Sequence, residues 1–211
     1  MNGRTNLNPA VCGVILAGGN SARMGTEKAF VQLGGRPLLA HVIARFASQV
    51  ALLALNANGE AGRFADFAVP VFPDAAAATG AERQGPLAGL LAALHFARHR
   101  EFALLATVPA DTPFLPQDLV TRLHAALAPR HKLCLAQSPA GLEPLFGLWR
   151  TDTLEPVEAA FARGERAIHR LAEALGHSTA LFAHAAEAQM FCNINTRGEL
   201  AQAESALQEK Q

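Results

Sequence analysis

The chain has few cysteines, no net charge and no long apolar run, and each of these absences removes a class of function. Its three cysteines, Cys12, Cys134 and Cys192, are odd in number and widely spaced. None has a second ligand nearby at zinc spacing, which argues against a disulfide framework or a cysteine metal cluster and fits a reduced, cytoplasmic setting. Lysine plus arginine and aspartate plus glutamate both number 18. No global field draws the chain to nucleic acid or to an anionic membrane, so affinity for an anion has to come from a local site. The first apolar run, Val11 to Ala17, lacks a basic leader and ends in two glycines that suit a turn better than a cleavage site. No other stretch approaches a membrane span. The eight histidines show no metal-ligand spacing, and His95 and His99, one helical turn apart, read as a solvated helix flank.

What remains is a chain of 211 residues, half of them apolar, which is enough to bury one substantial core. Residues 1–211 read as a single domain, with 1–10 as an unstructured lead-in and the alanine-rich, patternless stretch 75–85 as a mobile loop. Val11 to Leu16 is a short apolar run closed by Gly18-Gly19 and reads as a buried strand. After Pro37, Leu39, Val42, Ile43 and Phe46 recur at helical spacing. Val50 to Leu55, Val69 to Phe72 and Phe102 to Val108 are further strands. Helices are expected from Pro86, with Leu87, Leu90, Leu91 and Leu94 as the stripe, and over Gln117 to Ala128.

This alternation predicts an α/β fold: a Rossmann-like three-layer αβα domain with a mostly parallel sheet, whose ligand crevice lies at the carboxyl ends of the strands. Leu133 to Gln137 and Leu145 to Arg150 flank a hairpin-type turn at Ser138-Pro139-Ala140-Gly141, which places an antiparallel element in the C-terminal half. Helices near Thr153 to Ala162 and Ala167 to Leu175, a last strand around Met190 to Ile194 and a helix from Thr196 complete the reading.

Leu16-Ala17-Gly18-Gly19-Asn20-Ser21-Ala22-Arg23-Met24-Gly25 follows the first strand and precedes Lys28. Glycines there let backbone N–H groups approach phosphate oxygens, and Arg23 and Lys28 can neutralise the charge, so the loop reads as a polyphosphate cradle. Thr26 rather than lysine follows the last glycine, so this is not a Walker A loop, nor is it the dinucleotide turn. Asp111, in Val108-Pro109-Ala110-Asp111-Thr112-Pro113, leaves a buried strand at the ligand edge, where a carboxylate suits Mg²⁺ shared with phosphates.

Together with Gly35-Arg36-Pro37-Leu38, Asn56-Ala57-Asn58, Asp74, Gly85-Pro86-Leu87-Ala88-Gly89, Gly164-Glu165-Arg166 and Asn193-Ile194-Asn195-Thr196, these blocks resemble the molybdenum cofactor guanylyltransferases. The resemblance runs in order through nearly the whole chain. Glu27 departs from it, standing where aspartate is expected, and the stretch Ala75 to Gln84 is longer than usual. The resemblance implies an Mg²⁺-dependent nucleotidyltransferase that moves GMP from GTP to the terminal phosphate of molybdopterin or the molybdenum cofactor and releases pyrophosphate. It implies catalytic roles for Arg23, Lys28 and Asp111. It implies nucleotide contacts from Leu16, Ala17, Gly18, Gly19, Lys28, Asn56, Asp74, Gly85, Pro86, Leu87 and Asp111.

Asn195 would join Asp111 on the metal, although an asparagine before Thr196 equally suits a helix cap. A side-chain-bonded turn is the lesser alternative for Asn56 and Asp74, and a helix C-cap would by itself explain Gly164. Asn193 and Arg166 are the candidates for the acceptor side, although Arg166 better suits a solvated surface arginine. Molybdenum-insertion proteins and apo-molybdoenzymes are the implied protein partners, and the chain itself is expected to be a monomer.

Overall fold

The computed structural model describes residues 11–18, 28–74 and 85–208. The lead-in 1–10 and the stretch 75–84 lie outside them, as do Gly19 and Arg23 of the glycine loop.

Seven strands form one sheet in the order β5-β4-β1-β6-β8-β7-β9. They are β1 (Val11–Leu16), β4 (Leu52–Asn56), β5 (Val71–Phe72), β6 (Leu104–Pro109), β7 (Leu133–Ser138), β8 (Gly141–Arg150) and β9 (Ser178–Leu181). All pairings are parallel except those of β8, which runs antiparallel to β6 and to β7. The antiparallel element expected from the Ser138 to Gly141 turn is therefore a single reversed strand inside an otherwise parallel sheet. A separate hairpin joins β2 (Gln32–Leu33) to β3 (Arg36–Pro37).

Both faces of the sheet are covered, which is why β1 reads as an unbroken apolar run rather than an alternation. Val11 and Ile15 point to one side, where α1 (Leu38–Phe46) and α3 (Leu119–Ala126) contribute Leu39, Val42, Phe46, Leu119, Val120 and Leu123. Cys12 and Val14 point to the other, where α2 (Gly85–His99), α4 (Leu154–Ala162) and α5 (Ile168–Leu175) contribute Leu87, Leu90, Leu94, Val157 and Leu171. This split follows from the two-residue period of a strand. Trp149, fully buried on the second side, donates its indole N–H to Thr107 Oγ1 at 3.4 Å. A third, smaller cluster gathers Val31, Leu33, Leu38, Ile194 and Ala203 between the β2–β3 hairpin and α7 (Arg197–Gln208).

The expected last strand at Met190 to Ile194 is not a strand. A short helix, α6 (Ala185–Ala188), runs into a 3₁₀ turn at Gln189–Phe191. Phe191 packs edge-on against Phe146 and Phe182, with ring centroids 4.9 Å apart in each pair. The apolar residues anchor a turn into the core rather than pairing in the sheet. The last strand is instead β9, which joins β7 in parallel. Its Ser-Thr-Ala-Leu sequence carries little apolar signal, and Leu181 at this sheet edge is exposed.

Candidate active site

Strand order reverses at β1 and β6. From β1 the chain builds outward through β4 and β5, then returns to place β6 on the opposite flank. A crevice opens where loops diverge at the carboxyl ends of such a pair. Leu16 pairs with both Asn56 and Pro109, and Ala110 N–H donates to Leu16 C=O at 3.2 Å. Ala17 N–H donates to Asn56 C=O at 2.8 Å. These bonds hold the exits of β1, β4 and β6 side by side.

Across the β1–β6 side, Lys28 Nζ donates to Asp111 Oδ2 at 2.9 Å and also to Asn195 Oδ1. Lys28 and Asp111 are 83 residues apart, and Lys28 and Asn195 are 167 apart, so the fold alone assembles the group. The Lys28 and Asp111 side chains are only 21% and 17% exposed, which leaves the pair less screened than a surface ion pair. Ile194 N–H donates to Asp111 C=O at 2.9 Å, and Asn193 Oδ1 accepts from Thr112 Oγ1 at 2.7 Å. Asn193 and the Ile194 backbone thus both reach back to the loop that leaves β6, while Asn195 reaches Lys28.

Glu199 sits behind Asn195. Its Oε2 accepts the backbone N–H of Asn195 at 2.7 Å and of Thr196 at 2.8 Å, while Thr196 Oγ1 accepts Glu199 N–H at 3.2 Å. The Asn195 N–H is the main reason that the Glu199 carboxyl is held below its ordinary range.

On the β4–β5 side, Asn58 bridges to Asp74. Its amide nitrogen donates to Asp74 Oδ2 at 2.9 Å, and its oxygen accepts Asp74 N–H at 2.9 Å. Asn56 is fully buried and donates to Phe72 C=O at 3.4 Å. Among the described residues, Asn56 Oδ1 and Asp74 Oδ1 are buried acceptors with no donor. Buried polar atoms without partners are costly, and these two lie together. A Cβ placed on Gly89 would stand 2.7 Å from Asn56 Oδ1 and 3.6 Å from Asp74 Oδ1, and one on Gly18 3.4 Å from Asp74 Oδ2.

The start of α2 meets the turn after α4. Gly85, at φ 69°, lies against Arg166, where an added Cβ would approach Arg166 C=O to 2.9 Å. Leu87 N–H donates to the same carbonyl at 3.3 Å, and the Leu87 side chain is fully buried. The side chain and the N–H of Leu87 are therefore both engaged, whereas Pro86 is exposed. The Arg166 guanidinium is folded onto α4, donating to Phe161 C=O at 2.8 Å and Glu165 C=O at 2.7 Å above the Phe161 ring.

Residues 13–184 match the family described as the MobA-like NTP transferase domain. The chain belongs to the MobA-like NTP transferase family. A molybdenum cofactor guanylyltransferase of Rhodobacter capsulatus is 43% identical over 199 residues, covering 94% of this chain and 97% of the relative. One of Cereibacter sphaeroides is 40% identical, covering 92% of this chain and 96% of the relative. The crystal structure of molybdopterin-guanine dinucleotide biosynthesis protein A from Archaeoglobus fulgidus superposes with a TM-score of 0.71. It is 23% identical and covers 94% of this chain and 99% of that one, a likeness of fold.

In this MobA-like chain the structure brings Lys28, Asp111 and Asn195 into one group and Gly18, Asn56 and Asp74 into another. Arg166 stands apart, at the end of α4. Sequence reasoning gave no role to Asn58, Gly89, Thr112 or Glu199. The Thr196-x-x-Glu199 spacing carries a readable signal, that of a capping box. Asn58 and Gly89 lay within quoted blocks, but their contacts with Asp74 and Asn56 depend on distant strands.

Proposed function

We propose that the chain transfers GMP from GTP to the terminal phosphate of molybdopterin or the molybdenum cofactor, releasing pyrophosphate and forming a guanine dinucleotide cofactor. The observation that carries this reading is the convergence of Lys28 Nζ on Asp111 Oδ2 and Asn195 Oδ1 at the β1–β6 switch point. The curated relatives named as guanylyltransferases support the substrate pair.

The donor set can be tested against the metal that the reading requires. A carboxylate oxygen and an amide oxygen already converge on one cationic atom, and both are hard oxygen donors of the kind that Mg²⁺ takes while keeping water and phosphate in its remaining positions. They fit, and Asp111 and Asn195 would hold the ion. When bound, Mg²⁺ would supply charge neutralisation to the triphosphate.

The acceptor phosphate oxygen is ionised at neutral pH, so no general base is needed and the side chains act by alignment and charge. Lys28, freed toward the triphosphate, and Arg23 stabilise the charge that builds on the departing pyrophosphate. Leu16 and Ala17 hold the turn on the sheet, the Ala17 N–H being taken by Asn56 C=O, so that the backbone N–H groups of Gly18 and Gly19 serve the phosphates. Asn56 Oδ1 and Asp74 Oδ1 are acceptors awaiting donors, which guanine N1–H and its 2-amino group, or the ribose hydroxyls, supply. Gly85, Pro86 and Leu87 flank the base through the first turn of α2. Asn193, on Thr112, faces the acceptor side, and Arg166 adds a cation at the turn that abuts α2. The setting is cytoplasmic, the chain acts as a monomer, and its product passes to molybdenum-insertion proteins or apo-molybdoenzymes.

The deciding experiment incubates the purified chain with GTP, Mg²⁺ and molybdopterin and detects the guanylylated product by mass. Pyrophosphate release is followed in parallel with each of the four triphosphates. Product with GTP supports the reading; release with CTP alone, or GTP binding without release, overturns it.

A further inference from the structure

Three side chains carry the chemistry proposed above, and each is next to or near a residue of the small third cluster. Lys28 C=O accepts Val31 N–H at 3.1 Å, Asn195 follows buried Ile194, and Asp111 precedes Phe114, which packs against the same cluster. Asp111 follows β6 of the main sheet, and Lys28 opens a 3₁₀ turn, Lys28–Phe30, that packs on the main core through Ala29 and Phe30, so both rest on that core. Asn195 does not. It sits in the link between the 3₁₀ turn at Gln189–Phe191 and α7, where Ile194 is held by the Asp111 carbonyl but the next peptide N–H, that of Asn195, needs a grip of its own.

That grip is the Glu199 carboxylate. One oxygen, Oε2, takes two successive backbone N–H groups, those of Asn195 and Thr196. A helix cap needs only the bond to the N-cap residue. The second bond reaches one residue further back and ties down the peptide that bears the Asn195 side chain, whose amide oxygen lies on Lys28 beside Asp111.

We propose that Glu199 is a positioning residue of the active site, which fixes the Asn195 amide oxygen beside Asp111 so that the two act as one divalent-cation pair. The proposal rests on the reading of Asp111 and Asn195 as the metal side of a GTP site. Glu199 does not touch the reacting atoms; it acts through the main chain of Asn195.

The test uses the full-length chain with GTP and Mn²⁺ as the probe ion, with bound Mn²⁺ followed by electron paramagnetic resonance and thermal unfolding measured alongside. Glu199→Ala is expected to raise the half-saturating Mn²⁺ concentration about 10-fold, the lower end for loss of a residue that orients a metal ligand. Glu199→Gln keeps an oxygen able to accept both N–H groups and is expected to restore binding. Thr196→Ala weakens the helix cap but leaves the carboxylate's hold on Asn195, so it is expected to lower the melting temperature without moving the Mn²⁺ curve. In an Asn195→Ala background, Glu199→Ala is expected to add nothing, because residues acting through one another are not additive. Equal Mn²⁺ shifts for Thr196→Ala and Glu199→Ala, or additivity with Asn195→Ala, would overturn the proposal. Asp111→Ala separates the two levels. If it binds Mn²⁺ normally, the metal reading itself fails; if it loses Mn²⁺ while Glu199→Ala binds as the parent does, the positioning role alone fails.

Discussion

Gly89 and Asn56 face each other at the carboxyl end of the sheet so closely that a methyl group on Gly89 would lie 2.7 Å from the Asn56 side-chain oxygen. That oxygen is buried and has no donor among the described residues. The lack of a side chain at Gly89 is therefore what lets this polar atom sit against the first turns of α2.

Gly89→Ala is expected to cost about 1–3 kcal/mol of stability, the usual range for overpacking, because Asn56 is fixed on β4 and cannot retreat cheaply. It is also expected to raise KM for GTP at least about tenfold, equivalent to about 1.4 kcal/mol. Denaturant unfolding and steady-state kinetics check the two effects separately. Unchanged KM for GTP would remove Asn56 and Asp74 from the nucleotide side.

Lys28→Ala and Asp111→Ala are each expected to lower kcat by about 10²–10³, the loss typical of a single preorganised electrostatic contact. Their circular dichroism spectra should match the parent, since neither side chain belongs to a hydrophobic cluster. Lys28→Arg is not expected to restore activity, because a planar guanidinium cannot present one compact charge to Asp111 and Asn195 together.

Glu143 gives a stability effect that depends on pH. Burial pushes its carboxyl above the ordinary value, opposed by a hydrogen bond of 2.7 Å from Ser138 Oγ. The folded chain therefore holds this proton more tightly than the unfolded one. Stability is fully present below the unfolded pKa and falls as pH rises through the folded pKa. Glu143→Gln is expected to raise the melting temperature at pH 7, with the gain shrinking as the pH drops to 4 and below. A gain that persisted unchanged in acid would place its cause elsewhere.

The cysteines divide by burial. Desolvation pushes the Cys12 thiol up to about 12 and the Cys134 thiol up to about 11, whereas Cys192 is exposed. A chromogenic disulfide reagent at pH 8 is expected to titrate one thiol per native chain and three after unfolding, since the thiolate is the reactive form. More than one rapid thiol in the native chain would contradict this packing.

The parallel part of the sheet was legible because strands buried on both faces leave unbroken apolar runs, as at Val11–Leu16, and breakers mark their ends. β9 was not, since Ser178–Leu181 lies at an edge and needs little apolar character to pair. Met190 and Phe191 misled for the converse reason: their apolarity serves aromatic packing on Phe146 and Phe182, which periodicity does not report. At the site, Lys28 and Asp111 could be read from their places after strands. Their contact could not, because only the assembled sheet brings residues 83 apart to 2.9 Å. The contacts of the Arg166 guanidinium with the Phe161 and Glu165 carbonyls could not be read either, because they depend on how the chain turns after α4.

The position of Asn195 after β9 has a consequence for biosynthesis. On the ribosome, N-terminal segments emerge and fold first. A nascent chain that has emerged only as far as β9 already holds Lys28, Asp111 and the strands that carry Asn56 and Asp74, but lacks the amide that closes the group. Competence to hold a charged nucleotide would then follow the emergence of α7 rather than of the sheet that carries the rest of the group.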